Sequence, residues 1–167
     1  MEDVVIQYRM HGIDLLEKHI YRRETSLETV YHFNVRTESG VDPKTKVVVI
    51  AIEINISKKD DGLLCAQFKM VFAFGIKDFD NVMKKNHNGI FIIPKNLENP
   101  LKSISISTAR GIVFSELSGT NFIGAILPIV PIDTLKPESK DSGGLLSEFQ
   151  KLFESKEEIV QKVKAKK

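Results

Sequence analysis

Two apolar runs, each patterned with a period of two residues and separated only by "KKDDG", constrain this chain more than any other feature. In segment 46–57, Val48, Ile50, Ile52, Ile54 and Ile56 share one side. In segment 63–74, Leu64, Ala66, Phe68, Met70, Phe72 and Phe74 do the same. Successive side chains of a strand point to opposite faces, so both runs predict strands with one buried side. The other side of the first run, Val47, Val49, Ala51, Glu53 and Asn55, turns polar toward its end. The Asp-Gly that closes "KKDDG" predicts a hairpin between the two.

The same logic extends upstream. "VYHFNVRT" sets Tyr31, Phe33 and Val35 on one side and His32, Asn34 and Arg36 on the other. "SGVDPKT" then predicts a turn. Segment 4–21 fits a helix through "IDLLEKHIYRR" or a strand; the extended segments that follow so closely favour a first strand of the same sheet. Short connections predict a four-stranded antiparallel meander. "KDFDNVMKKNHNG" predicts a short helical turn ending at Asn88-Gly89, and "GIFIIPKNLENP" an extended piece stopped by Pro94. At the far end, Leu145, Phe149, Leu152, Ile159 and Val163 recur at helical spacing, predicting an amphipathic helix over 145–165 after the linker "ESKDSGG".

The stretch "SISISTARGIVFSEL" allows two readings. As a strand, Ile104 and Ile106 alternate with serines. As a helix turning ~100° per residue, Leu101, Ile104, Thr108 and Ile112 gather on one side, with Ile106, Ala109, Val113 and Leu117 roughly opposite. A helix apolar on two faces needs cover on both, and one sheet covers only one, so the second face calls for a partner chain. Asn99 suits an N-cap and Pro100 a first turn. Gly111 costs ~1 kcal/mol in a helix relative to alanine, which close approach of a neighbouring backbone would justify.

Several function classes find no support. One cysteine, Cys65, forms no internal disulfide, which fits a reducing, cytoplasmic setting. "MEDVVIQYRMHG" has no secretory signal pattern, and no run is long enough to span a bilayer. A net charge of +2 is too weak to argue for nucleic acid or membrane insertion. His11, His19, His32 and His87 sit at no metal-ligand spacing, and Glu53 has no readable acid-base partner. Phosphate-binding glycine loops are absent. The expectation is a protein without catalytic residues, metal or cofactor. The basic end "QKVKAKK" reads as a solvated helix terminus or a patch for acidic partners.

The connector 118–137 is too apolar for an ordinary surface loop, and Pro128, Pro131 and Pro137 prevent a continuous helix. It either lines a groove for extended polypeptide or packs on the sheet as core.

Taken together, "LLCAQFKMVFAFGI", "NPLKSISISTARG" and "LPIVPIDTL" resemble the SecB family of bacterial export chaperones, across roughly residues 8–135. The resemblance implies an α+β domain over 1–167: a sheet (1–77), a first long helix (98–117), connector and linker (118–144) and a terminal helix (145–165), both helices on one side of the sheet. In the family the first helix lies between its own sheet and a second dimer of a homotetramer, so the resemblance settles the two readings as helix. It implies interface residues Ile104, Ile106, Ala109, Arg110 and Val113. It further implies an ATP-independent holdase that binds unfolded, non-native clients in apolar grooves and delivers them to SecA. Carried over residue by residue, the client groove comprises Tyr31, Phe33, Val35, Val113, Phe114, Leu117, Phe122, Ile126, Leu127, Ile129 and Val130. Where such proteins carry an acid after Leu-Cys, this chain has Ala66, and its first strand ends "YRR" rather than in an acid. A SecB-like chaperone dedicated to an antitoxin, or a protein–protein adaptor of the same fold, are the alternatives.

Overall fold

A computed structural model describes residues 6–132 together with 144, 146 and 147. Four long strands form one antiparallel sheet: β1 (Tyr8–Ile20), β2 (Tyr31–Asp42), β3 (Val47–Lys58) and β4 (Leu64–Ile76). A four-residue helix, α1 (Phe79–Val82), a small hairpin, β5 (Lys84–Lys85) with β6 (Phe91–Ile92), and a long helix, α2 (Lys95–Leu117), follow. The α+β architecture is the expected one.

Strands β2, β3 and β4 form a meander, and the β3–β4 turn is the anticipated Asp-Gly hairpin. Gly62 takes φ 69° and Asp61 accepts a hydrogen bond from the Leu63 N–H. Strand β1 departs from the meander. The strand order is β1-β4-β3-β2, so β1 pairs with β4 rather than with its sequence neighbour. The connection over residues 21–30 is long enough to cross the end of the sheet, which a tight hairpin is not. "SGVD" belongs to β2, not to the turn, which is confined to residues 43–46. The Asp42 carboxylate closes that turn, accepting from the Lys44 N–H at 3.0 Å and the Thr45 hydroxyl at 2.6 Å.

One face of the sheet carries the core. Val48, Ile50, Ile52, Ile54 and Ile56 of β3 meet Ala66, Phe68, Met70, Phe72 and Phe74 of β4, all essentially without solvent contact. Helix α2 covers them with Leu97, Leu101, Ser105, Ile106, Ala109, Val113 and Leu117. Burying a side chain of this size is worth about 1.5–3 kcal/mol, so this one layer dominates stability.

Helix α2 corrects three expectations. It starts at Lys95, with Pro94 as N-cap, so Asn99 is not the cap and Pro100 lies inside the helix. The two apolar arcs of the helical wheel are the halves of one broad face that meets the sheet, joined through the fully buried Ser105; Ile104 and Ile112 lie half-buried at its rim. The outward face is Ser103, Ser107, Gly111 and Phe114 instead. No described neighbour approaches Gly111, so its cost has no explanation among the described residues.

The predicted helical turn over "KDFDNVMKKNHNG" is limited to α1. Beyond it the chain forms the β5–β6 hairpin, with the Asn86 side-chain oxygen accepting the N–H groups of Asn88 and Ile90. Most of the anticipated terminal helix lies outside the described residues. Leu146, which is described, is on the sheet face opposite α2, packed with Leu16, Ala51 and Val71. Its N–H donates to Glu38 at 2.7 Å, and Gly40 leaves it room, since an added Cβ there would lie 2.6 Å from Leu146. At Leu146 the chain is therefore on the sheet face opposite α2, not on the side expected for it.

Candidate functional site

The sheet has two dissimilar ends. At one, the C-terminus of α2, the β3–β4 hairpin and the connector that follows α2 come together. The connector is neither wholly groove nor wholly core. Phe122, Ala125 and Leu127 point inward and are about 2 % exposed, whereas Ile123, Ile126 and Ile129 are 55 %, 59 % and 82 % exposed. Phe122 packs edge-on against Tyr31, ring centroids 6.3 Å apart. Side-chain-to-backbone hydrogen bonds pin the loop to the β1–β2 connection: the Thr25 hydroxyl donates to the Asn121 carbonyl at 3.0 Å, and Asn121 Nδ2 to the Arg23 carbonyl at 3.4 Å. Between these loops opens a hollow of about 500 Å³ lined by Tyr21, Arg23, Thr120 and Phe122.

The expected groove residues divide accordingly. Val113, Leu117, Phe122 and Leu127 are enclosed in the protomer's own core and present no surface to a client. Tyr31, Phe33, Val35 and Val130 are half-buried beside them. Phe114, Ile126 and Ile129 are exposed. Two further apolar residues at this end, Leu27 and Val30, lie between the expected strands and escaped the sequence reading because no periodic run includes them; Leu63, read as the start of a strand, is also exposed here. Val30 is tied to the β3–β4 hairpin through its carbonyl, which accepts the Lys59 N–H. Of the expected interface residues, Ile106, Ala109 and Val113 face the protomer's own sheet, while Ile104 and Arg110 are half-buried.

The sheet face away from α2 carries a row of alternating charge across all four strands: Arg36, Glu53, Lys69 and Glu17 in register. Glu53, 4 % exposed, accepts from Arg36 at 2.9 Å and from Gln67 at 3.0 Å, and Lys69 lies 3.3 Å from Glu17. Enclosing a carboxylate requires such partners. The row holds its charges by pairing them with one another across the strands. Among the described residues no cluster of three or more His, Cys, Asp or Glu side chains has the makings of a metal site. Cys65 is enclosed, and burial pushes its thiol pKa up, against the nearby Lys58, so it is no thiolate nucleophile at neutral pH.

This geometry, a four-stranded antiparallel sheet with one long helix laid over β3 and β4, is found in a solved structure from Mycobacterium tuberculosis. It is the SecB-like chaperone Rv1957 in complex with a ChAD peptide from the HigA1 antitoxin. The two superpose with a TM-score of 0.53 over 74 % of this chain and 90 % of the other, at 14 % identity. The fold is SecB-like. No family model and no curated protein matches the sequence, so the SecB-like architecture is carried by shape and not by shared residues. No described helix is long and apolar enough to cross a membrane.

Proposed function

We propose that this protein is an ATP-independent holdase with a SecB-like fold, which binds non-native polypeptide on the apolar end of its sheet. One observation carries the reading: Ile123, Ile126 and Ile129 remain exposed on a connector that is itself anchored by Phe122 and Leu127, and Phe114 is exposed in the last turn of α2 that leads into it. Exposed apolar side chains on an anchored backbone are what a promiscuous binding surface requires. Apolar contact is non-directional, worth about 25 cal/mol per Å² buried, and an anchored surface loses little entropy on binding. Many weak contacts along one chain then add by avidity. Tyr31, Phe33, Val35 and Val130 complete the surface at its half-buried margin, with Val113, Leu117, Phe122 and Leu127 beneath it as support.

A homo-oligomer, a dimer of dimers, fits the outward stripe of Ser103, Ser107 and Gly111, where a second copy's backbone has room to approach. In that assembly the contacts fall on this stripe, with Ile104 and Arg110 at its rim.

A second reading has its own support. The antitoxin peptide held by the SecB-like neighbour makes a dedicated antitoxin client the alternative to a broad client range. Delivery to SecA is the weaker extension, since Ala66 replaces the acid and is itself buried.

The test is light scattering of the protein alone and mixed with a reduced, unfolded polypeptide, without nucleotide. A stable complex with several unrelated chains supports the holdase. Binding of one antitoxin segment alone supports the dedicated reading. A protein that ignores every unfolded chain refutes both.

A further inference from the structure

The opposite end of the sheet, where the β2–β3 turn meets the end of β4 and the β5–β6 hairpin, has the reverse character. Two adjoining hollows of about 450 and 520 Å³ lie there, sharing Gln7 and Lys77. Arg9, Lys46, Lys77 and Lys84 line them, all exposed, with His11 beside Arg9. Against these cations stand two carboxylates: Asp80, which holds Lys46 at 2.6 Å, and Asp78. The His11 ring lies close against Gly75, where an added Cβ would come within 2.3 Å of it. Next to the cations, Ile90 and Ile92 are 62 % and 52 % exposed on a hairpin anchored by Phe91 against Phe79, ring centroids 5.5 Å apart.

We propose that this cationic trough docks an acidic segment of a partner protein, one whose carboxylates alternate with apolar side chains. Fixed positive charge in a concave site focuses potential and steers an anionic partner, and the flanking isoleucines supply the apolar contact that fixes register. A single-stranded nucleic acid site would add aromatic platforms for successive stacked bases; the residues lining these two hollows include one aromatic, Tyr8, in T-shaped contact with Phe74, centroids 6.4 Å apart. The 12 residues of β3 separate this end from the apolar end by about 35–40 Å at ~3.3 Å per residue. Client and partner therefore bind at once without competing.

Fluorescence anisotropy with a labelled oligoglutamate peptide at low ionic strength tests this, with the double variant Lys77→Glu/Lys84→Glu alongside the unaltered protein. The expected result is binding that weakens roughly tenfold or more in the variant and on adding salt, while capture of an unfolded test chain is unchanged. Failure of the unaltered protein to bind the peptide overturns the proposal, as does binding that the variant leaves intact. Tighter binding of oligouridine or phosphatidylserine vesicles at this end reassigns it to nucleic acid or membrane. Displacement of the peptide by inorganic phosphate at equal concentration reduces it to a simple anion site. Should the variant misfold, amide shift mapping on the unaltered chain decides: peptide-induced shifts must centre on Gly75 and Lys77, and shifts confined elsewhere refute the docking site.

Discussion

The ring of Phe122 meets the ring of Tyr31 edge to face, at 6.3 Å and 87°, and so fastens the connector to the first residue of β2. Phe122 is 2 % exposed, so its removal leaves a cavity and frees the loop. Phe122→Ala should cost about 3–5 kcal/mol in urea unfolding. It should also weaken capture of unfolded chains beyond what the stability loss predicts at low temperature, because the exposed residues on either side lose their anchored backbone.

Neighbouring residues on the same connector should separate function from stability. Ile126 is 59 % exposed and Leu127 2 %. Ile126→Ser with Ile129→Ser should leave the unfolding free energy within about 0.5 kcal/mol of the parent while lowering suppression of aggregation several-fold. Leu127→Ala should do the reverse, costing about 2–5 kcal/mol. If the serine pair holds unfolded chains as well as the parent, the binding surface lies elsewhere.

Acid stability should depend on Glu98. Burial by itself raises the pKa of its carboxyl, but hydrogen bonds from Lys102 at 2.7 Å and Ser39 at 2.8 Å outweigh this and hold it below the usual glutamate range. A depressed folded pKa contributes stability that is fully present above the unfolded value of about 4.3 and is lost as pH falls through the folded one. Glu98→Gln should therefore destabilise at pH 7 and converge on the parent as pH drops below ~4. Urea midpoints across that range measure the difference directly.

Cys65 should behave as an inert core residue. Its sulfur is enclosed, its thiol pKa is raised by burial, and its S–H points to the Leu63 carbonyl at 3.5 Å. A disulfide reagent at pH 7 should label it only at the rate of opening, and at once in denaturant. Rapid labelling of the native protein would show that the start of β4 frays.

How much was legible in the sequence follows from how local each signal is. The strands β3 and β4 were read from period-two burial because every second residue of them meets the same core layer. The pairing of β1 with β4 was not, since Ile13 and Phe72 announce their contact by no local pattern. The start of α2 was misplaced because a proline one turn inside a helix looks like one at its first position. The apparent second face of α2 arose from ideal wheel angles; the face that meets the twisted sheet drifts along the helix from Leu97 through Ser105 to Leu117 and joins the two arcs. The candidate site was half legible. Apolar residues of the connector were found, but composition does not say which of Ile126 and Leu127 turns outward, because prolines deny the segment any regular period.

The strand order has a consequence for how the chain is made. Of the four strands β1 leaves the ribosome first, yet its partner is β4, whose last residue, Ile76, pairs with Tyr8. Until roughly the first half of the chain has emerged, β1 has an amphipathic sequence and nothing to lie against, while β2, β3 and β4 zip through short turns. Long-range pairing is the slow part of such folding and leaves a strand open to other chains meanwhile. Of the four strands, the one synthesised first is thus the one placed last.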